Sequence, residues 1–213
     1  MLKVKNYFLA FRQTGFLFII LIVFSCIKRE EPEIIYPKSY FPAYPGSYWV
    51  YNNGQTVKVD QGYHLHSYEN NISSNNKTEE VYVPRINGQY VYEYSITQNS
   101  TLIPLKKLLS ETADESWIVD YWNGKNVSRK IININDSVVI ADTIFGIDTT
   151  FKSVISVIEY SEELGEENWF SKEYYVEYIG LIRKEVNNYQ DTLVPIIEFD
   201  IVDYFINHKF STE

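Results

Sequence analysis

The sequence predicts an all-β protein, built as an antiparallel β-sandwich or curved half-barrel with one short helix. Aromatic residues make up 16% of the 213 residues, and 19 are tyrosines, a composition that favours strands over helices. Short apolar segments follow one another at close spacing, separated by polar turns and by Asn-Gly or Pro-Gly pairs. No Gly/Ser- or Pro-rich linker divides residues 40–213, so we expect them to form a single domain.

The first predicted strand, Ser47–Tyr51, follows a Pro-Gly turn and places Trp49 and Tyr51 on one face. The Asn-Gly pair after it predicts a tight hairpin into a second strand, Gln55–Asp60.

The strongest hairpin signal is a second Asn-Gly pair, between the predicted strands Thr78–Ile86 and Gln89–Thr97. A two-residue turn builds one apolar face by pairing residues across the hairpin: Val83 with Tyr92, and Val81 with Tyr94. The same register gives Pro84 a hydrogen-bonding position that proline cannot fill, so a bulge or an edge position must resolve the conflict.

One segment, Pro104–Thr112, has a helical pattern. Proline stands in its first turn, and Leu105, Leu108 and Leu109 share a face at helical spacing. We therefore expect a short helix that covers one end of the sheet.

The remainder of the chain returns to strand patterns with polar turns between them. The predicted strands are Trp117–Trp122, Val127–Asn135, Val138–Phe145, Thr150–Tyr160, Trp169–Glu177, Leu181–Asn187 and Leu193–Phe205. About ten short antiparallel strands in one domain are typical of a sandwich or a curved half-barrel.

Residues 1–25 have the layout of a secretory signal peptide. Lys3, Lys5 and Arg12 form a basic start without acidic residues, the apolar run Phe16–Phe24 follows, and Ser25 is a small last residue. As a helix the apolar run spans about 14 Å, against roughly 30 Å of membrane hydrocarbon, so it is short for a transmembrane helix.

Cys26, the one cysteine of the chain, directly follows this segment. Residues 23–26, Val-Phe-Ser-Cys, resemble a bacterial lipobox, in which the cysteine receives a diacylglyceryl group. The resemblance implies that Cys26 is lipidated and that its acyl chains bind the protein to a membrane. Charged residues and a proline come next, which predicts a flexible tether over residues 26–39.

Three further segments resemble lipoproteins of the Bacteroidota. The basic-then-acidic run Ile27–Glu33 is similar to the signal that follows the lipidated cysteine in their cell-surface lipoproteins, with an ordinary acidic spacer as the alternative. Tyr40–Tyr51 (YFPAYPGSYWVY) and Ile179–Glu185 (IGLIRKE) resemble the two ends of uncharacterised lipoproteins from this group. The resemblance implies an outer-membrane, lipid-anchored protein, with the cell surface favoured over the periplasmic face, and it implies no particular activity.

The charge of the chain excludes one class of partner. Removal of residues 1–25 takes away three positive charges and no negative ones, which moves the formal net charge from −9 to −12. Such an acidic surface repels phosphate backbones, so we expect no nucleic-acid partner. A glycan or another envelope protein stays open as a partner, and so does the oligomeric state.

No motif predicts catalysis, a cofactor or a metal site. The sequence contains no Gly-x-Ser-x-Gly elbow, phosphate loop or His-Glu-x-x-His, so we expect a protein that is not an enzyme. His64 and His66 could face one side of a strand, but no third His or Cys lies nearby to complete a metal site. The glutamates of the turn Ser161–Glu167 match no calcium-loop spacing and predict a solvated turn.

Four Asp-Ser/Thr pairs resemble the acceptor motif of Bacteroidota O-glycosylation, although Asp and Thr also cap ordinary turns. The predicted acceptors are Ser137, Thr143, Thr149 and Thr192.

We therefore expect a lipid-anchored binding or structural module. A surface glycan-binding lipoprotein would expose a platform drawn from Trp49, Trp117, Trp122 and Trp169, although most tryptophans of a small β domain lie in its core. A periplasmic half-barrel carrier would enclose a sizeable apolar cavity. A hydrolase would hold two carboxylates in a cleft.

Overall fold

The computed structural model describes Tyr36 and residues 39–59, 65–69, 80–84, 91–96, 102–141, 146–188 and 194–210, all within the compact unit Glu33–Glu213. These residues form strands and two 3₁₀ turns, Glu166–Asn168 and His208–Phe210. The strands are β1 (Tyr48–Tyr51), β2 (Gln55–Val59), β3 (Leu65–Glu69), β4 (Glu80–Pro84), β5 (Val91–Ile96), β6 (Leu102–Leu109), β7 (Ser116–Trp122), β8 (Lys125–Ile140), β9 (Thr149–Ser161), β10 (Ser171–Val176), β11 (Gly180–Val186) and β12 (Ile196–Phe205). None of the described segments is a helix with the length and apolar character needed to cross a membrane.

The described strands form one open antiparallel sheet, which confirms the all-β prediction. The order of its twelve strands is β6-β5-β4-β3-β2-β1-β12-β11-β10-β9-β8-β7. Consecutive strands pair within each half of the sheet, β1 to β6 and β7 to β12, and the pairing of β1 with β12 joins the two halves.

The sheet is strongly curved, because its two edge strands are consecutive in the chain. Residues 110–115 join β6 to β7, and this connection reaches at most about 25 Å at roughly 3.6 Å per Cα step. A flat sheet of twelve strands would be about 50 Å wide at roughly 4.8 Å per spacing. The edges therefore approach each other, and the Trp117 side chain on β7 donates a hydrogen bond of 2.8 Å to the carbonyl oxygen of Lys107 on β6.

The concave face of the sheet forms a large part of the core, and buried side chains of the convex face complete it. Its buried side chains come from both halves of the sheet and include Trp49, Val59, Leu109, Ile131 and Tyr175. Curvature brings these strands together, so residues far apart in the chain pack against one another.

Both N-terminal hairpin predictions agree with the strands observed. Trp49 and Tyr51 are buried on one face of β1, and β4 pairs with β5 in the predicted register. The register places Val81 opposite Tyr94 and Val83 opposite Tyr92. Pro84 is the last residue of β4 and pairs with Val91 without a bulge, and β4 is not an edge strand, so neither expected resolution of the proline conflict is observed.

The helix predicted over Pro104–Thr112 is wrong, because residues 102–109 form the edge strand β6. Leu105 and Leu108 are extra residues in the pairing with β5, where the register shifts twice. A bulge interrupts the two-residue alternation of a strand, and two bulges produced leucine spacings that resemble those of a helix. An edge strand also tolerates Pro104, which has no N–H to donate.

Two predicted strands, Val127–Asn135 and Val138–Phe145, are replaced by one long strand, β8. β8 has register shifts at residues 131–137 and a positive φ of 60° at Asn135, so it bends without ending. Its far end crosses the convex face of the sheet, where the carbonyl oxygen of Val139 accepts a hydrogen bond of 3.3 Å from Arg183 on β11. On the same convex side, Tyr174 and Val176 of β10 are buried.

Candidate ligand-binding pocket

A pocket of about 200 Å³ opens on the concave face, between the β1–β2 hairpin, β6 and strands β10–β12. This volume is below the roughly 300 to 1,000 Å³ of pockets that hold drug-sized ligands, so only a small molecule fits inside it.

One wall of the pocket is aromatic. Trp49, Tyr51 and Phe199 form it, and the rings of Tyr51 and Phe199 lie 4.5 Å apart between centroids. The polar atoms of this wall are already bound, because Trp49 Nε1 donates to the carbonyl oxygen of Ile179 and the Tyr51 hydroxyl donates to that of Leu181 at 3.0 Å. Burial, followed by the nearby Glu173 carboxylate, raises the pKa of Tyr51 far above its usual range and keeps this hydroxyl protonated. The wall therefore presents ring surface to the pocket.

The adjoining part of the pocket lining is polar and charged, and it adjoins the aromatic wall because Lys184 lies beside Phe199 in the strand register. Glu173 on β10 lies beside Lys184 on β11 in the strand register, and the Lys184 ammonium pairs with Glu198 at 3.0 Å. Burial by itself lowers the pKa of Lys184, but Glu173 and Glu198 together raise it, so this side chain stays positively charged. The side chains of Asn53 and Gln55, from the β1–β2 hairpin, also line the pocket.

A buried arginine binds the Glu173 carboxylate. Arg129 on β8 is 1% exposed, and its Nη2 donates to Oε2 of Glu173 while its Nη1 donates to Glu159 at 3.0 Å. The Tyr175 hydroxyl donates a bond of 2.6 Å to the same Oε2 of Glu173, and Lys106 of β6 forms an ion pair with Glu159.

These contacts keep Glu173 ionised. Burial alone raises the pKa of its carboxyl, but the charge and hydrogen bond of Arg129, with smaller effects of Lys106 and Lys184, lower the pKa to about 2. The same contacts raise the pKa of Arg129. Burial alone would lower it, but the effects of Glu173, Tyr175 and Glu159 are larger.

The two oxygens of the Glu173 carboxylate have different roles. Both of its hydrogen bonds end on Oε2, and no described residue donates to Oε1. Glu173 is 8% exposed and lines the pocket, so this charged oxygen is an acceptor left open to an occupant. The buried side-chain polar atoms that lack a partner within the described part of the chain are Arg129 Nε and Ser156 Oγ.

A similar tyrosine–glutamate pair lies on the opposite face of the same strands. Tyr174 follows the alternation of β10 to the convex side, where its hydroxyl donates to Glu185 at 2.9 Å. Glu185 is 9% exposed, close to the 8% of Glu173, but it does not line the pocket.

Most of the residues singled out from the sequence lie away from this pocket. Cys26, Thr143, Thr192 and His64 fall outside the described residues, as does the side chain of His66. Ser137 is exposed on β8, whereas Thr149 is half-buried at the start of β9.

The four tryptophans do not share one exposed face. Trp49 is buried and Trp117 and Trp169 are half-buried, while Trp122 is 55% exposed and meets Phe170 edge-on at 75°.

The acidic turn is exposed and bound to β8. Glu162 accepts hydrogen bonds from Ser128 and Asn126, which lower its pKa, and Glu163 and Glu166 pair with lysines of the same strand. No cluster of metal-ligating side chains occurs among the described residues.

Sequence reasoning missed Glu173, which lines the pocket, and Arg129, which binds its carboxylate. One signal was present: Arg129 occupies an inward position of a strand, between the buried residues Val127 and Ile131. A charged residue at such a position needs a buried partner, but the sequence does not say which one.

Comparison of the chain with protein-family models, with curated proteins and with solved structures finds no match.

Proposed function

We propose that this protein is a lipoprotein of the bacterial outer membrane, anchored by lipid on Cys26, and that its β domain binds a small molecule in the pocket. The observation that carries the proposal is a pocket whose lining combines an aromatic wall with an adjoining carboxylate and ammonium group. A concave site that combines ring surface with a small number of placed polar groups is typical of a ligand pocket. The signal-peptide pattern and the lipobox resemblance support the anchor, with the cell surface favoured over the periplasmic face.

The same features favour binding over catalysis. A general acid must carry a proton near neutral pH, and the Glu173 carboxyl, with a pKa of about 2, does not. The second carboxylate of the pocket, Glu198, is paired with Lys184. We therefore propose that the pocket retains its occupant unchanged.

The small volume and the charged wall also favour a compact ligand over a long acyl chain. A carrier of apolar molecules needs a larger and drier cavity, because burial of Glu173 and Lys184 against hydrocarbon would remove the hydration of both charges.

Thermal unfolding in the presence of candidate ligands tests the proposal, and a variant whose pocket is filled by a larger side chain is compared with the wild type. Full-length protein in lipid nanodiscs is heated with small molecules of separate classes: neutral sugars, amino acids, organic acids and short fatty acids. We expect one class to raise the midpoint of thermal unfolding, because a ligand that binds only the folded state stabilises it.

Val57→Phe places a ring in the pocket and should remove this rise. The matched control is Thr56→Phe on the same strand, where Val57 but not Thr56 lines the pocket. The pocket proposal is wrong if no class stabilises the wild type, or if Val57→Phe keeps the full rise.

A further inference from the structure

We propose that the occupant of the pocket is a compact, neutral ring that carries hydroxyl groups, with the chemistry of a single sugar residue. This inference rests on the binding function proposed above and adds the class of ligand to it. Three independent features of the pocket lead to it: the balance of its charges, the open oxygen of Glu173 and the aromatic wall.

The charges around the pocket are balanced. Contacts connect Lys106 and Arg129 to Glu159 and Glu173, and Lys184 pairs with Glu198. The set contains three positive and three negative side chains. No charge is left over to neutralise an ion, and an unpaired charge is costly beside the buried Arg129–Glu173 pair, so the ligand is expected to be neutral.

The open oxygen of Glu173 requires a hydrogen-bond donor. An ionised carboxylate only accepts hydrogen bonds, and Arg129 keeps this carboxyl ionised. A neutral ligand with hydroxyl groups supplies such a donor, whereas a hydrocarbon would leave Oε1 of Glu173 buried without a partner. On the same wall, Lys184 is a donor that can bind a second oxygen of the ligand.

The aromatic wall requires a ligand with one apolar face. The polar atoms of Trp49 and Tyr51 are bound to the backbone carbonyls of Ile179 and Leu181, so these residues offer ring surface alone. A pyranose has this character, because its C–H groups lie on one face while its hydroxyl groups project around the rim. C–H groups carry partial positive charge and are attracted to the negative face of an aromatic ring.

The volume limits the ligand to one ring. At about 200 Å³ the pocket is smaller than those that hold drug-sized ligands, so a single hydroxylated ring is a better match than two. A free monosaccharide and the terminal residue of a longer glycan share this chemistry, and the experiment must separate them.

The test is titration of the full-length protein in nanodiscs by calorimetry, with methyl hexosides, their singly deoxygenated analogues, matching oligosaccharides, glycine betaine, acetate and hexanoate as probes. We expect at least one methyl hexoside to bind and the charged probes and hexanoate not to bind. One deoxygenated analogue should bind about 10- to 100-fold more weakly, because it lacks the hydroxyl that donates to the charged Glu173. Binding of an oligosaccharide through its end residue identifies a glycan terminus, and preference for the monosaccharide identifies a free sugar.

Glu173→Gln should weaken binding about 10-fold or more and should reduce the penalty of that one deoxygenated analogue. Glu185→Gln is the matched control, with the same burial and the same kind of tyrosine partner on the convex face, and it should bind like the wild type. If Glu173→Gln does not fold, titration of the wild type with the deoxygenated analogues still tests whether one hydroxyl of the ligand donates to Glu173.

Binding of betaine, acetate or hexanoate in place of sugars overturns the ligand class while it leaves the pocket function standing. Binding of no probe, together with no stabilisation by any class in the heating experiment, overturns both. A sugar whose affinity is unchanged by every single deoxygenation also overturns the assignment of Oε1 of Glu173.

Discussion

Acid should unfold this protein partly through one carboxyl group, that of Glu173. Its folded-state pKa is lowered from 4.5 to about 2, so the unfolded chain takes up a proton at a pH where the folded chain does not. A depressed carboxyl pKa stabilises the folded state above pH 4.5, and this contribution is lost as the pH falls toward 2.

The size of the effect follows from the shift. At about 1.4 kcal/mol per pKa unit, the lowered pKa of Glu173 corresponds to about 3 kcal/mol of the free energy of unfolding. About 2 kcal/mol of this should already be lost at pH 3. Glu173 is 8% exposed, so solvent screens this interaction little.

The assay is urea unfolding of the chain from Ile27 onward, followed by fluorescence between pH 6 and pH 3, for the wild type and Glu173→Gln. Other carboxyl groups titrate in both proteins, so the difference between the two free energies of unfolding isolates Glu173. We expect this difference to be constant above about pH 5.5 and to shrink by about 2 kcal/mol at pH 3.

Arg129→Met provides the second arm of the experiment. Without the guanidinium, burial raises the pKa of Glu173, so this variant should lose stability at neutral pH and recover part of it on acidification. A difference between wild type and Glu173→Gln that stays flat from pH 6 to pH 3, or grows on acidification, would refute the reasoning.

Two further predictions concern the pocket wall and the anchor. Gly180→Ala should cost about 1 to 3 kcal/mol of the free energy of unfolding, because Gly180 has a φ of +106° and a Cβ there would lie 3.2 Å from Trp49 Nε1. Gly54→Ala is its control in chemical denaturation, since Gly54 has a φ of +88° with open space around it, and equal costs would mean that contact with Trp49 is unimportant. Cys26→Ser should abolish labelling of the protein by radioactive palmitate and release it from membranes, whereas Ser25→Ala, which keeps a small residue before the cysteine, should retain both. Label on the Cys26→Ser protein would contradict the anchor.

The local patterns of the chain predicted its strands well where sheet pairing follows the regular alternation. The β4–β5 register followed from an Asn-Gly turn and from alternating apolar residues, both of which are local. The helix predicted over Pro104–Thr112 was wrong because its leucine spacing comes from two bulges against β5, and a bulge is a property of the pair of strands.

The pocket lay beyond such reasoning, because its residues come from strands far apart in the chain. Glu173 and Arg129 are 44 positions apart, and Trp49 and Ile179 are 130 positions apart. No repeating pattern of the sequence relates the members of either pair. Each side chain by itself reads as an ordinary strand residue, and only its neighbours across the sheet give it a role.

The sequence by itself determined the all-β class and the hairpins that close over two or three residues, because these depend on composition and on contiguous residues, and it predicts export and a lipid anchor on the same kind of local pattern. Tertiary structure alone decided that the twelve strands form one curved open sheet and that β8 bends across its convex face. It also decided that a balanced set of charges leaves one carboxylate oxygen open beside an aromatic wall. The physical reason is the curvature of the sheet. The short link between β6 and β7 draws the two edges together, and this brings residues that are distant in the sequence into contact.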